Sequence, residues 1–389
     1  MKPRIAYMLY DFHISGMGSW ISRLAGCLRD DFEFHFIATR VPKIAGHYQG
    51  LGRAVFLPEE SRKLIAYLRE NRINIVQYAN ARFFGECALA AGVPVVIERT
   101  DGLRRGEALQ PKDDLDAVIA STQGTIEPIS RLINRKRIHL IYNGIDAASF
   151  DPIAPNRVGF SDKDVLIGRS SRFGKGKNIE MLIQAMRILV QRCPAAALVI
   201  VGGNSMVPGA DDLEAELRPR AEPLGNRCVL TGRIEEPQAI IKGFDIGACV
   251  SRKDAEGIPN SLLEPMAAGR PVVTTDTGDV RELVDDGVEG FVVGEDDVQG
   301  FAERLERLVR DPALRARMGQ AARQKVMAKF DLRTQAVAYR ELYLRLLAER
   351  KTGLPFAWRA AKFRVKYWRA FLPGKRNVAS SRDRTEQRA

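Results

Sequence analysis

The chain alternates short apolar runs, rich in β-branched residues, with longer stretches whose apolar positions recur every three to four residues. The first kind reads as buried strand, the second as amphipathic helix. Six runs in the first half predict strands, at 4–10, 34–38, 75–78, 93–98, 117–120 and 138–142. Six more follow at 165–170, 197–201, 228–231, 246–250, 271–275 and 290–293. Strands separated by helical stretches predict an α/β architecture, and the two sets predict two doubly wound parallel sheets. The break falls at Asp151-Pro152-Ile153-Ala154-Pro155-Asn156, whose prolines suit a linker. Beyond 297 the pattern is helical to about residue 349.

Three junctions in this pattern carry candidate chemistry. Glu256 and Glu264 bracket a turn, Gly257-Ile258-Pro259-Asn260, and the start of a helix. Glycine permits close approach, proline fixes the bend, and the helix aims its positive end into the turn. An anion carrying hydroxyl groups suits such a place, with amides for phosphate and carboxylates for hydroxyls. Pro265 is best tolerated in the first helical turn or so, which predicts a helix start at Ser261 or later. The second junction is Arg172-Phe173-Gly174-Lys175-Gly176-Lys177-Asn178, between a strand and a helix. Alone, this loop fits a solvated basic surface as well as a ligand site. The third is Ser15-Gly16-Met17-Gly18-Ser19-Trp20, a glycine-bearing loop after the first strand.

Together these stretches resemble the retaining glycosyltransferases of the GT-B fold, family 4 (glycosyl transferases group 1). The resemblance also takes in Ile141-Tyr142-Asn143-Gly144-Ile145-Asp146 with Phe150, Leu198-Val199-Ile200-Val201-Gly202-Gly203 and Leu230-Thr231-Gly232-Arg233. It runs almost continuously from about 141 to about 293, and its motifs stand in the family's order. It implies two Rossmann-like domains facing a cleft. Residues 1–152 would bind the acceptor and 153–330 the nucleotide sugar, 331–350 would cross back, and 351–389 would form a basic tail. Arg172 and Lys177 would hold the donor diphosphate and stabilise it as it leaves. Glu264 would take ribose hydroxyls and Glu256 a hydroxyl of the transferred sugar. Gly16 and Gly18 would approach the phosphates, and the backbone near Arg233 and Ile234 would meet the base. The catalytic set would be Arg172, Lys177 and Glu256.

One departure concerns the acceptor side. The family often places a histidine after the fourth or fifth strand. Here the stretch is Val96-Ile97-Glu98-Arg99-Thr100-Asp101-Gly102, and the four histidines, His13, His35, His47 and His139, lie elsewhere. Asp101 is the nearest substitute, and equally a turn aspartate before glycine. No Asp-x-Asp pair suits a cleft, so no catalytic metal is expected. The only cofactor-like molecule is the nucleotide sugar, itself a substrate.

Charge is unevenly placed. The net charge is +12, and residues 351–389 hold eleven Lys/Arg against two Asp/Glu, or +9 of it. The remainder is nearly neutral, which argues against a nucleic-acid-binding body. Within 356–372, Phe356, Phe363, Tyr367 and Phe371 share one helical face, while Arg359, Lys362, Lys366 and Arg369 take another arc. Arg364 falls within the apolar arc, where it could snorkel. Such a stretch fits an anionic membrane surface, or packing on this protein or a partner. The five cysteines are scattered and the first apolar run ends at Asp11, so a reducing cytosol and no signal peptide are expected.

The expected activity is transfer of a hexose from a nucleotide sugar, UDP-linked among the candidates, to a sugar or lipid-linked acceptor in cell-surface polysaccharide or lipopolysaccharide assembly. A cytoplasmic enzyme, peripheral on the inner face of the membrane, fits this reading. Two alternatives stay open. One is a related GT-B enzyme with phosphate or a sugar phosphate as acceptor. The other is a non-catalytic surface-binding protein with a vestigial donor site.

Overall fold

The computed structural model describes residues 2–10, 16–40, 46–48, 50–79, 81–100, 114–204, 212–252 and 257–352. The first half runs β1 (Arg4–Leu9), α1 (Gly16–Leu28), β2 (Glu33–Ala38), β3 (Arg53–Phe56), α2 (Ser61–Glu70) and β4 (Ile75–Ala79). It continues with α3 (Arg82–Ala91), β5 (Val95–Thr100), β6 (Ala117–Ala120), α4 (Ile126–Ser130) and β7 (Ile138–Leu140). All seven strands are parallel, in the order β3-β2-β1-β4-β5-β6-β7.

The second half begins with β8 (Val165–Ser170), α5 (Ile179–Arg192), β9 (Ala196–Val201), α6 (Leu213–Ala221), β10 (Cys228–Leu230) and α7 (Gln238–Gly243). Then come β11 (Ile246–Cys249), α8 (Asn260–Ala267), β12 (Val272–Thr275), β13 (Gly290–Val293), α9 (Val298–Arg310), α10 (Pro312–Lys329) and α11 (Leu332–Thr352). The sheet order is β10-β9-β8-β11-β12-β13, again all parallel. Both halves thus wind outward from a central pair, β1/β4 and β8/β11. Where the winding reverses, connections leave on opposite faces and a crevice opens at the carboxyl ends of the strands.

Helices cover both faces of each sheet, so central strands are apolar at most positions. In β9, Ala-Ala-Leu-Val-Ile-Val is buried throughout. The expected architecture of two doubly wound sheets is the observed one. Strand ends shift by one or two residues, and two differences have a clear cause. β3 was not expected, because it is an edge strand with only Val55 partly buried, so no apolar run announces it. β5 starts at Val95 and not at 93, because Pro94 has no N–H to give the ladder.

The last helix returns to the first sheet. Tyr339 of α11 lies 5.4 Å from the Trp20 ring. The Tyr343 hydroxyl donates to Gln77 Oε1 at 2.7 Å and accepts from the Tyr7 hydroxyl at 2.9 Å, all buried. The chain therefore passes between the halves twice, and the two passages are bonded to each other. Ile145 N–H donates to the Phe330 carbonyl (2.9 Å), and Leu332 N–H to the Ile145 carbonyl (3.2 Å). Among the described residues no helix is long and apolar enough to cross a membrane.

Candidate active site

The crevice of the second sheet is built by the ends of β8, β9, β10 and β11. Past β8, Ser171 N–H donates to the Val201 carbonyl and Phe173 N–H to the Gly203 carbonyl, both at 2.9 Å. The Phe173 side chain is buried in the apolar core, which turns Arg172 outward between two pinned positions. Arg172 is exposed, and among the described residues no hydrogen bond or ion pair engages its guanidinium. A single 3-10 turn, Lys175–Lys177, and Asn178 at φ 49° then deliver the chain into α5. Gly202 has φ 143°, and a Cβ there would stand 1.9 Å from the Ser171 carbonyl oxygen. Gly202 N–H donates to the Gly232 carbonyl at 3.0 Å, and the Arg233 guanidinium to the Asn204 carbonyl at 3.2 Å. Ile234 packs, half buried, on the neighbouring apolar cluster. Three strand ends are thus laced into one floor.

The other wall follows β11. Arg252 N–H donates to the Gly176 carbonyl at 2.8 Å, which ties this segment to the basic loop. Ile258 and Pro259 are buried and deliver α8, whose N-cap residue, Pro259, has no side-chain acceptor to offer the first turn. A helix end of this kind favours negative charge. The helix starts at Asn260, one residue before the start that Pro265 implied, so that proline is its sixth residue. It is accommodated because Gly247 of β11 has no side chain: a Cβ there would meet the Pro265 ring at 2.6 Å. The ring fills the space and offsets the backbone hydrogen bond that proline forgoes.

Glu264 lies one turn into α8, with 19% of its side chain exposed. Its nearest described cation is Arg23 of α1, Nη2 to Oε1 3.8 Å. The carboxyl-end side of the first sheet thus meets that of the second across this pair. Burial raises the Glu264 carboxyl above the ordinary carboxylate range, and the Arg23 charge offsets only part of the rise. An acid whose folded pKa lies above its unfolded one destabilises the fold when ionised. The penalty is absent below the unfolded pKa, grows as pH rises through the folded one, and is constant above it. Without ligand, Glu264→Gln is therefore expected to melt above the wild type at about pH 7 and level with it at about pH 4. A wild type that melts higher at neutral pH would show instead that the carboxylate is held as a stabilising partner of Arg23.

Gly16 and Gly18 do not form a separate loop. They are the first and third residues of α1, and the buried Gly18 carbonyl accepts from the Tyr48 hydroxyl at 2.6 Å. The helical period extends further back than two glycines suggest, because Tyr48 anchors that first turn. Glu256, Asp101 and the tail segment 356–372 lie outside the described residues.

Four side chains near the crevice and the junction escaped the sequence reading. Besides Arg23, Glu282 accepts from Gln123 N–H (2.8 Å), Gly124 N–H (3.2 Å) and the Tyr142 hydroxyl (2.8 Å), joining the halves. Arg99 is buried at the end of β5, 4.4 Å over the Trp20 ring, and donates to Asn143. Arg169 is buried in β8. For the last two a signal existed: an arginine closely following an apolar strand run, Val95-Val96-Ile97 in one case and Val165-Leu166-Ile167 in the other.

Residues 151–325 match the family described as Glycosyl transferases group 1. The GDP-mannose-dependent monoacylated alpha-(1-6)-phosphatidylinositol monomannoside mannosyltransferase of Corynebacterium glutamicum is 28% identical over 307 residues, 72% of this chain and 78% of that protein. The amylovoran biosynthesis glycosyltransferase AmsK of Erwinia amylovora is 32% identical over 266 residues, 64% of this chain and 61% of that protein. The chain spans little more than half the length of other curated relatives it matches, 52% of one and 58% of another. Among solved structures, Anabaena HepE in complex with UDP and glucose superposes with a TM-score of 0.73 at 18% identity, covering 87% of this chain and 99% of that one. The chain has the GT-B fold, and its residues 151–325, around the second sheet, are similar to the glycosyl transferases group 1 family.

Proposed function

We propose that this protein is a glycosyltransferase that moves a hexose from a nucleotide sugar to an acceptor held on the side of the first sheet. One observation carries the reading. The basic loop with Arg172 and Lys177 and the amino-terminal end of α8 flank one crevice, held together by the Arg252–Gly176 hydrogen bond. That crevice is the switch point of a doubly wound sheet, where such folds take ligands.

In the proposed reaction the bond from the anomeric carbon to the diphosphate oxygen breaks. The acceptor oxygen bonds to that carbon on the same face, with retention. The acceptor proton passes to the departing phosphate, whose charge Arg172, Lys177 and the helix end hold without a metal. Glu264 and Glu256 would accept hydrogen bonds from donor hydroxyls, and Asp101 would lie on the acceptor side. The amylovoran relative supports polysaccharide assembly as the setting. A lipid-linked acceptor, met at an anionic membrane surface through 356–372, completes the reading.

The test is calorimetry and thermal shift on the full chain with UDP-glucose, GDP-mannose and ADP-glucose. One of the three should raise the melting temperature, since ligand at a hundred times Kd adds about 2.7 kcal/mol of apparent stability. No shift with any of them at millimolar concentration would end the donor-site reading.

A further inference from the structure

The central strand of the second sheet carries a charge where its neighbours carry core. Arg169 follows Leu166, Ile167 and Gly168 in β8 and is 0% exposed. Its Nε donates to Ser171 Oγ at 3.1 Å and its Nη2 to Ser251 Oγ at 3.2 Å. Nη1 is buried with no hydrogen-bond partner. Among the described residues no carboxylate pairs with this guanidinium. Buried charges are almost always paired, because the loss of water costs several kcal/mol per ion. Two serine hydroxyls do not neutralise an arginine. A cation kept under these conditions is explained if an anion meets it in the working state.

Its position says which anion. Ser171 immediately precedes Arg172, and Ser251 stands at the end of β11, just before Arg252. The two serines mark the two sides of the crevice, and Arg169 lies beneath both. We propose that Arg169 is a positioning residue for a nucleoside diphosphate: a fixed positive charge under the crevice floor that acts through Ser171 and Ser251. This rests on the reading of the crevice as the donor site. The exposed Arg172 is screened by salt, whereas a charge beneath the floor acts through protein and is screened far less. It also costs no reorganisation when the diphosphate leaves, because the strand already holds it.

A purely structural Arg169, stapling β8 to β11, predicts the opposite effect on stability, and this separates the two roles. The experiment uses the full chain with Arg169→Met and Arg169→Lys, the melting temperature without ligand, and Kd for UDP and for GDP by calorimetry. Arg169→Met should melt at or above the wild type, since an apolar side chain replaces an unpaired buried charge. It should bind the preferred diphosphate about ten-fold more weakly. The deficit should persist at about 0.5 M salt, and Arg169→Lys should recover most of the affinity. A Met variant that binds as the wild type does overturns the inference while leaving the donor site standing. A Met variant that melts lower or fails to fold assigns the arginine to structure and also overturns it. A wild type that binds neither diphosphate removes the donor-site reading itself.

Discussion

Arg172→Ala lowers turnover about a hundred- to a thousand-fold and leaves the melting temperature unchanged. The two halves of this expectation come from the same geometry. Backbone bonds at Ser171 and Phe173, with the buried Phe173 ring, hold the loop; the Arg172 side chain contributes to none of them. Its removal is an exposed substitution, which normally costs within about 0.5 kcal/mol. For the reaction it removes the guanidinium best placed on the basic loop to meet charge growing on the leaving diphosphate. Arg172→Lys should recover only part of the loss, because an ammonium cannot reproduce a planar two-pronged contact. The measurement is release of nucleoside diphosphate from whichever nucleotide sugar the binding screen selects, with a melting curve for each variant. Unchanged release by the alanine variant would sink the proposal that this loop takes the diphosphate.

Gly202→Ala destabilises the fold by about 3 kcal/mol or more and weakens donor binding in the molecules that still fold. The φ of 143° is one that side-chain-bearing residues rarely adopt, and the new methyl would sit 1.9 Å from the Ser171 carbonyl oxygen. That neighbour is backbone, so no rotamer change can relieve the contact. The ends of β8 and β9 must part, and with them the bonds that aim Arg172. Gly159→Ala is the control. Gly159 also has positive φ, 85°, but nothing lies within 4 Å of its would-be Cβ. It should cost only about 1 kcal/mol and leave binding alone. Denaturant melts of both variants decide the matter: equal costs would mean that backbone conformation, and not the clash with Ser171, governs Gly202.

The second sheet was almost wholly legible in the sequence, because a parallel strand covered on both faces must be apolar at nearly every position. β3 was illegible for the converse reason, since an edge strand with solvent beside it needs no such run. Along the chain, Gly257, Pro259 and Glu264 could be named from local pattern, and Arg172, Lys177 and Arg233 through the family resemblance; all stand at the carboxyl ends of the second sheet. Their partners could not. Arg23 meets Glu264 only because α1 of one half faces α8 of the other, and no local pattern encodes that approach. Arg169 is hidden differently: Leu166, Ile167 and Gly168 before it announce a core strand, and the arginine reads as part of it.

The two passages between the halves have a mechanical consequence. A joint made of one strand can twist as freely as it bends. Here two strands lie side by side, bonded from Ile145 to Phe330 and Leu332, and a Cβ on Gly144 would come within 2.7 Å of the Leu332 Cα. Torsion would shear those bonds, while flexing keeps both. The lobes should therefore swing about a single line, so that each closure returns Arg23 to the same height along α8.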